Sequence, residues 1–312
     1  MKISIVGSGF VGSATAFQLI MSGTASEVLL LDKDTARAQA EAIDIIHATP
    51  CGYHNKVRAA DYKDISGSDI VIITAGANQK PGQTRLDLLK INASIFKEII
   101  PQIVKYAPDT ILLVASNPAD IMAEITLRLS GFPKSRVICS GTLLDSSRFQ
   151  TELSKFLEIS SESVNAYVLG EHGDHEVLAW GEANVGIMGI ESYASIIGKE
   201  FSEEVKSTID DNVRNAAYKI IEGKRATYYG IAGSLTKICQ AIALDSNTIL
   251  PISSHHDSIE GAHDICLSMP TIINRQGVVK VLYPNLQEEE KKALAESAKI
   301  IETYTQQIAK EI

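Results

Sequence analysis

No stretch of this chain approaches the ~20 consecutive apolar residues that a membrane-spanning helix requires, so no span is expected. Lysine and arginine nowhere cluster, and the formal net charge is −9. A surface of that sign repels phosphate backbones and anionic lipid, which argues against nucleic acid or a membrane as partner. Cysteine is sparse and scattered. Cys51, Cys139, Cys239 and Cys266 form no CxxC pair and no metal-ligand spacing, so buried free thiols in a reducing, cytoplasmic setting are expected, and no metal. Internal repeats and low-complexity linkers are absent. The opening residues, MKISIVGSGF, give an apolar run too short for a signal sequence and no cleavage pattern. Asn92-Ala93-Ser94 matches a glycosylation acceptor, but without a secretory signal it reads as chance.

What is present is an ordinary globular composition, 45% hydrophobic and 21% charged, in a chain of 312 residues. That length can build two lobes with large cores. Lys2–Val6 is a strand-length apolar run, followed at once by Gly7-Ser8-Gly9-Phe10-Val11-Gly12 and a helical stretch to about Ser22. Glu27–Leu31 reads as a second strand, ending at Asp32, 20 residues after Gly12. A lone GxGxxG is a weak signal. Placed between strand and helix, with an acid at this distance, it predicts a dinucleotide site. Gly7 permits the tight turn, Gly9 lets a pyrophosphate approach, and Gly12 allows close helix–strand packing. Asp32 can accept hydrogen bonds from a ribose diol and would repel a 2′-phosphate, so the cofactor is read as NAD rather than NADP.

Further strands are expected at Asp69–Thr74, Thr110–Ala115 and Arg136–Cys139, alternating with helical segments. That alternation implies a parallel sheet covered on both faces. Asn78–Arg85, rich in Pro and Gly, reads as a loop. In the second half, Leu143–Leu157 reads as a helix, Ala166–Leu169 as a strand and Ser202–Glu222 as an amphipathic helix stopped by Gly223. Ile231–Ile242 gives another helix. Thr248–Met269 alternates as antiparallel strands, and Gln287–Glu311 is a final helix whose acidic start complements its dipole. The fold class is α/β: a Rossmann doubly wound parallel sheet over 1–140, plus a mixed α+β domain with antiparallel strands over 141–312. His255, His256 and His263 are read as surface or hinge histidines, since no Cys or carboxylate pattern accompanies them.

The chemistry concentrates in SGTLLDSSRF, Ser140–Phe149, and LGEHGDHEV, Leu169–Val177. Asp145 and Arg148 lie three apart on one helix face. His172 follows an apolar strand. An imidazole, a carboxylate to orient it and a guanidinium to hold an anion make a proton-transfer site for a small carboxylic acid.

These two segments, GEHGD and LDSSR, resemble the active-site segments of the lactate/malate dehydrogenase family, and the resemblance extends along essentially the whole chain. It implies that His172 exchanges a proton with the reacting oxygen, that Asp145 orients it, and that Arg148 grips the substrate carboxylate. Arg85 matches the arginine that polarises the reacting carbonyl as its loop closes. Asn117 and Ser140 would lie near the nicotinamide, Thr227 would line the substrate pocket, and Thr74, Ala75, Gly76 and Ala77 would back the cofactor. Gln79 stands where lactate dehydrogenases carry glutamine and malate dehydrogenases arginine. A second substrate carboxylate would be costly to desolvate without a cation there, so pyruvate and L-lactate are the expected substrates.

Family members activated by fructose 1,6-bisphosphate have an arginine and a histidine where this chain has Gln150 and Asn165, so no such activation is expected. The family usually has glycine at Arg225 and a small polar residue at His175, which is read as a surface substitution. The chain opens on its first strand, without the arm that braces vertebrate tetramers; a homotetramer or homodimer is expected. The readings set against this one are a malate or bulkier 2-hydroxy acid dehydrogenase, an NAD-dependent glycosidase, which needs a Cys/His metal site, and a homologue recruited as a structural protein.

Overall fold

The computed structural model describes residues 1–53, 55–77 and 84–309, without the side chain of Arg85. Most of the loop expected over Asn78–Arg85, Gln79 included, lies outside the described residues, as does the end of the final helix expected to reach Glu311. The first half alternates strand and helix: β1 (Lys2–Val6), α1 (Phe10–Met21), β2 (Glu27–Leu31), α2 (Thr35–Ala48), β3 (Lys56–Ala59), β4 (Ile70–Ile73), α3 (Arg85–Tyr106), β5 (Ile111–Val114), α4 (Ala119–Ser130) and β6 (Val137–Cys139). These strands pair in parallel in the order β3-β2-β1-β4-β5-β6. The central ones read Ile-Val-Ile-Ile and Ile-Leu-Leu-Val and are buried throughout. Such unbroken apolar runs are what a sheet covered by helices on both faces demands. The strand order reverses between β1 and β4, and ligands of open sheets bind beyond the strand ends at such a point.

The second half continues with α5 (Leu143–Leu157), β7 (Val164–Asn165), β8 (Val168–Gly170), β9 (Glu176–Leu178), β10 (Asn184–Val185), β11 (Met188–Gly189), α6 (Ile190–Ile196), α7 (Glu203–Lys224), α8 (Tyr229–Ala243), β12 (Thr248–Ile259), β13 (Ala262–Asn274), β14 (Gly277–Val281) and α9 (Glu288–Ala309). The parallel sheet does not end at β6. It runs on through β12, β13, β8 and β9 in antiparallel pairing, with Ser253 opposite Cys139. A smaller sheet, β11-β10-β7, lies apart from it. One core cluster joins Leu112 and Val114 of the parallel sheet to Leu267 of β13 and to Leu294 and Ile301 of α9. A second cluster is built on α5 and α7, where Phe149 meets Trp180 edge-on at 4.5 Å.

Several element ends depart from the sequence reading. Arg85 opens α3 rather than closing a loop, because Thr84 and Asp87 form a reciprocal cap: Asp87 N–H donates to Thr84 Oγ1 and Thr84 N–H to the Asp87 carboxylate, both at 3.1 Å. Gly223 does not stop α7. The helix runs to Lys224, and Arg225 takes the left-handed turn at φ +69°. That conformation is one glycine adopts without strain, which accords with the glycine the resemblance leads one to expect there. His256 is buried and the His255 side chain is only 6% exposed, so neither is superficial, while His263 is exposed. Cys51 is exposed and the other three cysteines are buried. Asn92 is only 1% exposed and its side chain is engaged on both sides, so the sequon is closed off by the fold.

Candidate active site

The glycine turn sits where β1 and β4 end side by side. Gly7 has φ +110°, and a Cβ there would lie 2.6 Å from Ala75 N. A Cβ on Gly12 would lie 1.9 Å from the Gly7 carbonyl, so α1 packs against the turn only without a side chain. Thr74 Oγ1 donates to the same carbonyl at 2.7 Å. Gly9 differs: a Cβ there would meet nothing within 4 Å. The open space faces the N-terminus of α1, whose orphan N–H groups and dipole favour an anion. Asp32, at the end of β2, accepts N–H bonds from Ser8 at 2.6 Å and Asp34 at 3.0 Å. The acid is thereby pinned to the glycine turn, and the pair fits a dinucleotide. Val11 is half-buried on the first turn of α1.

Asn92, not anticipated from sequence, ties two parts of the expected nicotinamide region together. Its Oδ1 accepts from Ala77 N–H at 2.8 Å and its Nδ2 donates to the Asn117 carbonyl at 2.7 Å. Asn117 precedes a cis proline, Pro118. Gly76 packs against Asn92, and Ser116 Oγ donates to the Ala75 carbonyl at 2.6 Å. Ser140 is buried at the end of β6, with its N–H on the Val114 carbonyl.

The proton-transfer residues meet across the chain. Asp145 is 1% exposed in the first turn of α5. Its Oδ2 accepts the Nδ1–H of His172 at 2.6 Å, and its Oδ1 accepts Arg148 Nη1 at 2.7 Å. One carboxylate therefore bridges imidazole and guanidinium. A guanidinium has five N–H donors in one plane, and this bond uses one. The Asp145 charge beside His172 outweighs the burial that opposes protonation, and lifts the imidazole to about 9. Burial pushes Asp145 up, but the charge and hydrogen bond of His172, with Arg148, hold its carboxyl below the usual range.

Two further acids surround the ring. The backbone N–H of His172 donates to Asp120 Oδ2 at 2.9 Å, which fastens the GEHGD turn to α4. Burial lifts Asp120 to about 6. Glu176, 6% exposed on β9, is pushed to about 8, first by burial and then by the Asp145 charge. At neutral pH it is therefore mostly uncharged, which spares an anionic substrate a repelling group. Sequence reasoning missed both acids; the one local signal was Glu176 just beyond GEHGD, on a short strand that is buried throughout. His175, expected as a surface substitution, is exposed, and its Nδ1 also bonds the wholly buried Glu171 at 2.8 Å.

Thr227 lies half-buried between α7 and α8. It is brought toward α5 by the start of α8, where a Cβ on Gly230 would strike Leu144 at 2.7 Å. Among the described residues no bond joins Thr227 to His172. Gln79 and the Arg85 side chain lie outside the described residues.

Comparison with known proteins narrows this arrangement. Residues 1–139 match the NAD-binding domain of the lactate/malate dehydrogenases, and residues 142–312 their alpha/beta C-terminal domain. The chain belongs to the lactate/malate dehydrogenase family. Its relatives include the L-lactate dehydrogenase of Thermus aquaticus, 48% identical over 96% of this chain and 97% of that one. L-lactate dehydrogenase 1 of Clostridium acetobutylicum is 47% identical over 96% of each chain. Among solved structures, the ligand-bound minor L-lactate dehydrogenase of Enterococcus mundtii superposes with a TM-score of 0.95 at 38% identity, covering 98% of both chains. This lactate/malate dehydrogenase uses NAD, and among its described residues no helix is long and apolar enough to cross a membrane.

Proposed function

We propose that this chain is an NAD-dependent L-lactate dehydrogenase, interconverting pyruvate and L-lactate. The observation that carries the reading is the Asp145 carboxylate shared between His172 and Arg148. NAD supplies the hydride chemistry when bound. Gly7, Gly9, Val11, Gly12 and Asp32 would hold its adenosine and phosphate half, and Thr74–Ala77, Asn117 and Ser140 its nicotinamide half. In reduction, His172 would give its proton to the keto oxygen of pyruvate. Asp145 keeps the imidazole oriented and charged; with the ring lifted to about 9, the acid is ready at neutral pH. Arg148 binds the substrate carboxylate; the family resemblance gives Arg85 the polarising of the carbonyl, and gives Gln79 and Thr227 the preference for a neutral methyl group.

The lobes divide near Ser140. A cytoplasmic homotetramer or homodimer running pyruvate fermentation to lactate after glycolysis fits this chemistry. Gln150 and Asn165 offer no charge to a sugar bisphosphate; they bond the Ala166 carbonyl at 3.1 Å and Asn184 Oδ1 at 3.0 Å. The deciding assay follows NADH absorbance with pyruvate and oxaloacetate in parallel. Preference for pyruvate is expected. Preference for oxaloacetate would overturn the role given to Gln79, and activity with neither would overturn the reading itself.

A further inference from the structure

The tip of the β12–β13 hairpin holds a second group of chemically able side chains. On an extended strand, residues two apart share a face. His255 and Asp257 do so on β12, and Asp264 and Cys266 on β13, with His255 directly opposite Cys266. Glu124 reaches the same place from α4. His255 Nδ1 bonds Glu124 Oε2 at 2.8 Å. The side chain of His255 is 6% exposed, yet its Nε2 is buried without any hydrogen-bond partner. That nitrogen lies 3.5 Å from Asp257 Oδ1 and 3.8 Å from Asp264 Oδ1.

A carboxylate can only accept, so the neutral ring carries its proton on Nδ1 and presents a lone pair at Nε2. A histidine whose other nitrogen donates to a carboxylate is the usual arrangement of a metal-binding imidazole. Ligand atoms about 2.1 Å from a tetrahedral zinc ion stand roughly 3.4 Å from one another, close to the separations seen here. We propose that His255 Nε2, Asp257 and Asp264 form a site for a zinc-type divalent cation, with Glu124 orienting the imidazole. Water completes the coordination, since both aspartates are largely exposed. The other charges facing the ring are cations. Arg128 Nε donates to Glu124 Oε1 at 2.8 Å, and its Nη2 reaches the Asp264 carbonyl at 3.5 Å. Lys134 pairs with Asp257 Oδ1 and must swing away when the metal arrives. The bound ion ties the end of the hairpin to α4.

The test is calorimetric titration of zinc chloride into chelator-treated full-length protein, with thermal unfolding read in parallel. One equivalent per chain is expected, with a rise in Tm. Asp257→Asn with Asp264→Asn alters exposed positions only, and should lose at least tenfold in affinity together with the Tm rise. Glu124→Gln should weaken binding ten- to a hundredfold, and Lys134→Ala should tighten it. Cys266→Ser should bind as the parent does. No uptake by the parent, equal binding by the double asparagine variant, or loss of binding in Cys266→Ser would each overturn the site.

Discussion

Two arginine–carboxylate–imidazole chains run through this molecule on one plan. Asp145 takes Arg148 at 2.7 Å and His172 at 2.6 Å; Glu124 takes Arg128 and His255, each at 2.8 Å. Each arginine follows its carboxylate by one helical turn, and each histidine arrives from elsewhere in the chain. What differs is access. A quarter of the His172 side chain is exposed against 6% for His255. The constellation therefore defines a held, oriented imidazole and nothing more. What stands before the second nitrogen decides whether it passes a proton or does something else.

The largest effect expected from breaking the comparison is at Asp145. Asp145→Asn removes the charge that keeps His172 protonated, and general acid catalysis is worth about 10²–10⁴-fold. Pyruvate turnover should fall by at least about a hundredfold while NADH affinity, read by stopped-flow fluorescence, holds. In the parent, pyruvate reduction should decline as pH rises through about 9, where His172 loses its proton. Through His172, folding stability carries the same sign. The raised His172 contribution is whole below 6.5 and is lost as pH climbs through about 9. The lowered Asp145 contribution is lost as pH falls through its depressed value. A variant with parental turnover would end the reading of Asp145.

The same change in the other chain should act on stability instead. Glu124→Gln weakens two charge-assisted bonds to a buried group, at a cost of about 1–3 kcal/mol. Denaturant titration should register that loss, with kcat within twofold of the parent. A hundredfold loss of kcat with the fold intact would mean that the two imidazoles are not functionally separate.

How much of this the sequence disclosed follows from distance along the chain. Gly7 to Asp32, and Asp145 to Arg148, lie within a strand–helix unit or one helical turn, so periodicity and spacing exposed them. The Asp145–His172 pairing spans 27 residues; the residue types suggested it, and the family resemblance assigned the role of each. His255 meets Glu124 across 131 residues and His172 meets Asp120 across 52; no local pattern encodes either. That is why His255 read as a surface or hinge residue and Glu124 went unseen; Asp257 and Asp264 are near in sequence, but only the hairpin pairing brings both to His255 Nε2. Element ends failed for a different reason. A reciprocal cap at Thr84 and Asp87, and a non-glycine residue in a left-handed turn at Arg225, are decided by one or two local hydrogen bonds that an apolar period does not register.

Glu176 sharpens the contrast in access, because it places a titrating acid near the open imidazole only. Its ionisation, moved to about 8, puts a negative charge beside an anionic substrate as pH rises. An acid raised in the folded state makes stability fall as pH climbs from 4.5 through about 8. Glu176→Gln should therefore remove any rise in pyruvate KM above pH 8, and should raise Tm more at pH 9 than at pH 5. A variant whose KM and Tm followed the parent at every pH would show that the acid is not felt at the site.

The smallest effect is expected at a third imidazole–carboxylate pair, His175 with Glu171 at 2.8 Å. It lies three residues from His172, but 46% of the His175 side chain is exposed. A partner so open to water is screened, and such pairs contribute roughly 0–1 kcal/mol. His175→Ser should therefore change stability by less than about 1 kcal/mol and leave kcat within twofold. The midpoint of the pH–rate profile should stay with His172, because Asp145, not Glu171, is the carboxylate bonded to that ring. A displaced midpoint would show that nearness in sequence couples the two imidazoles, and access would no longer suffice to rank the three.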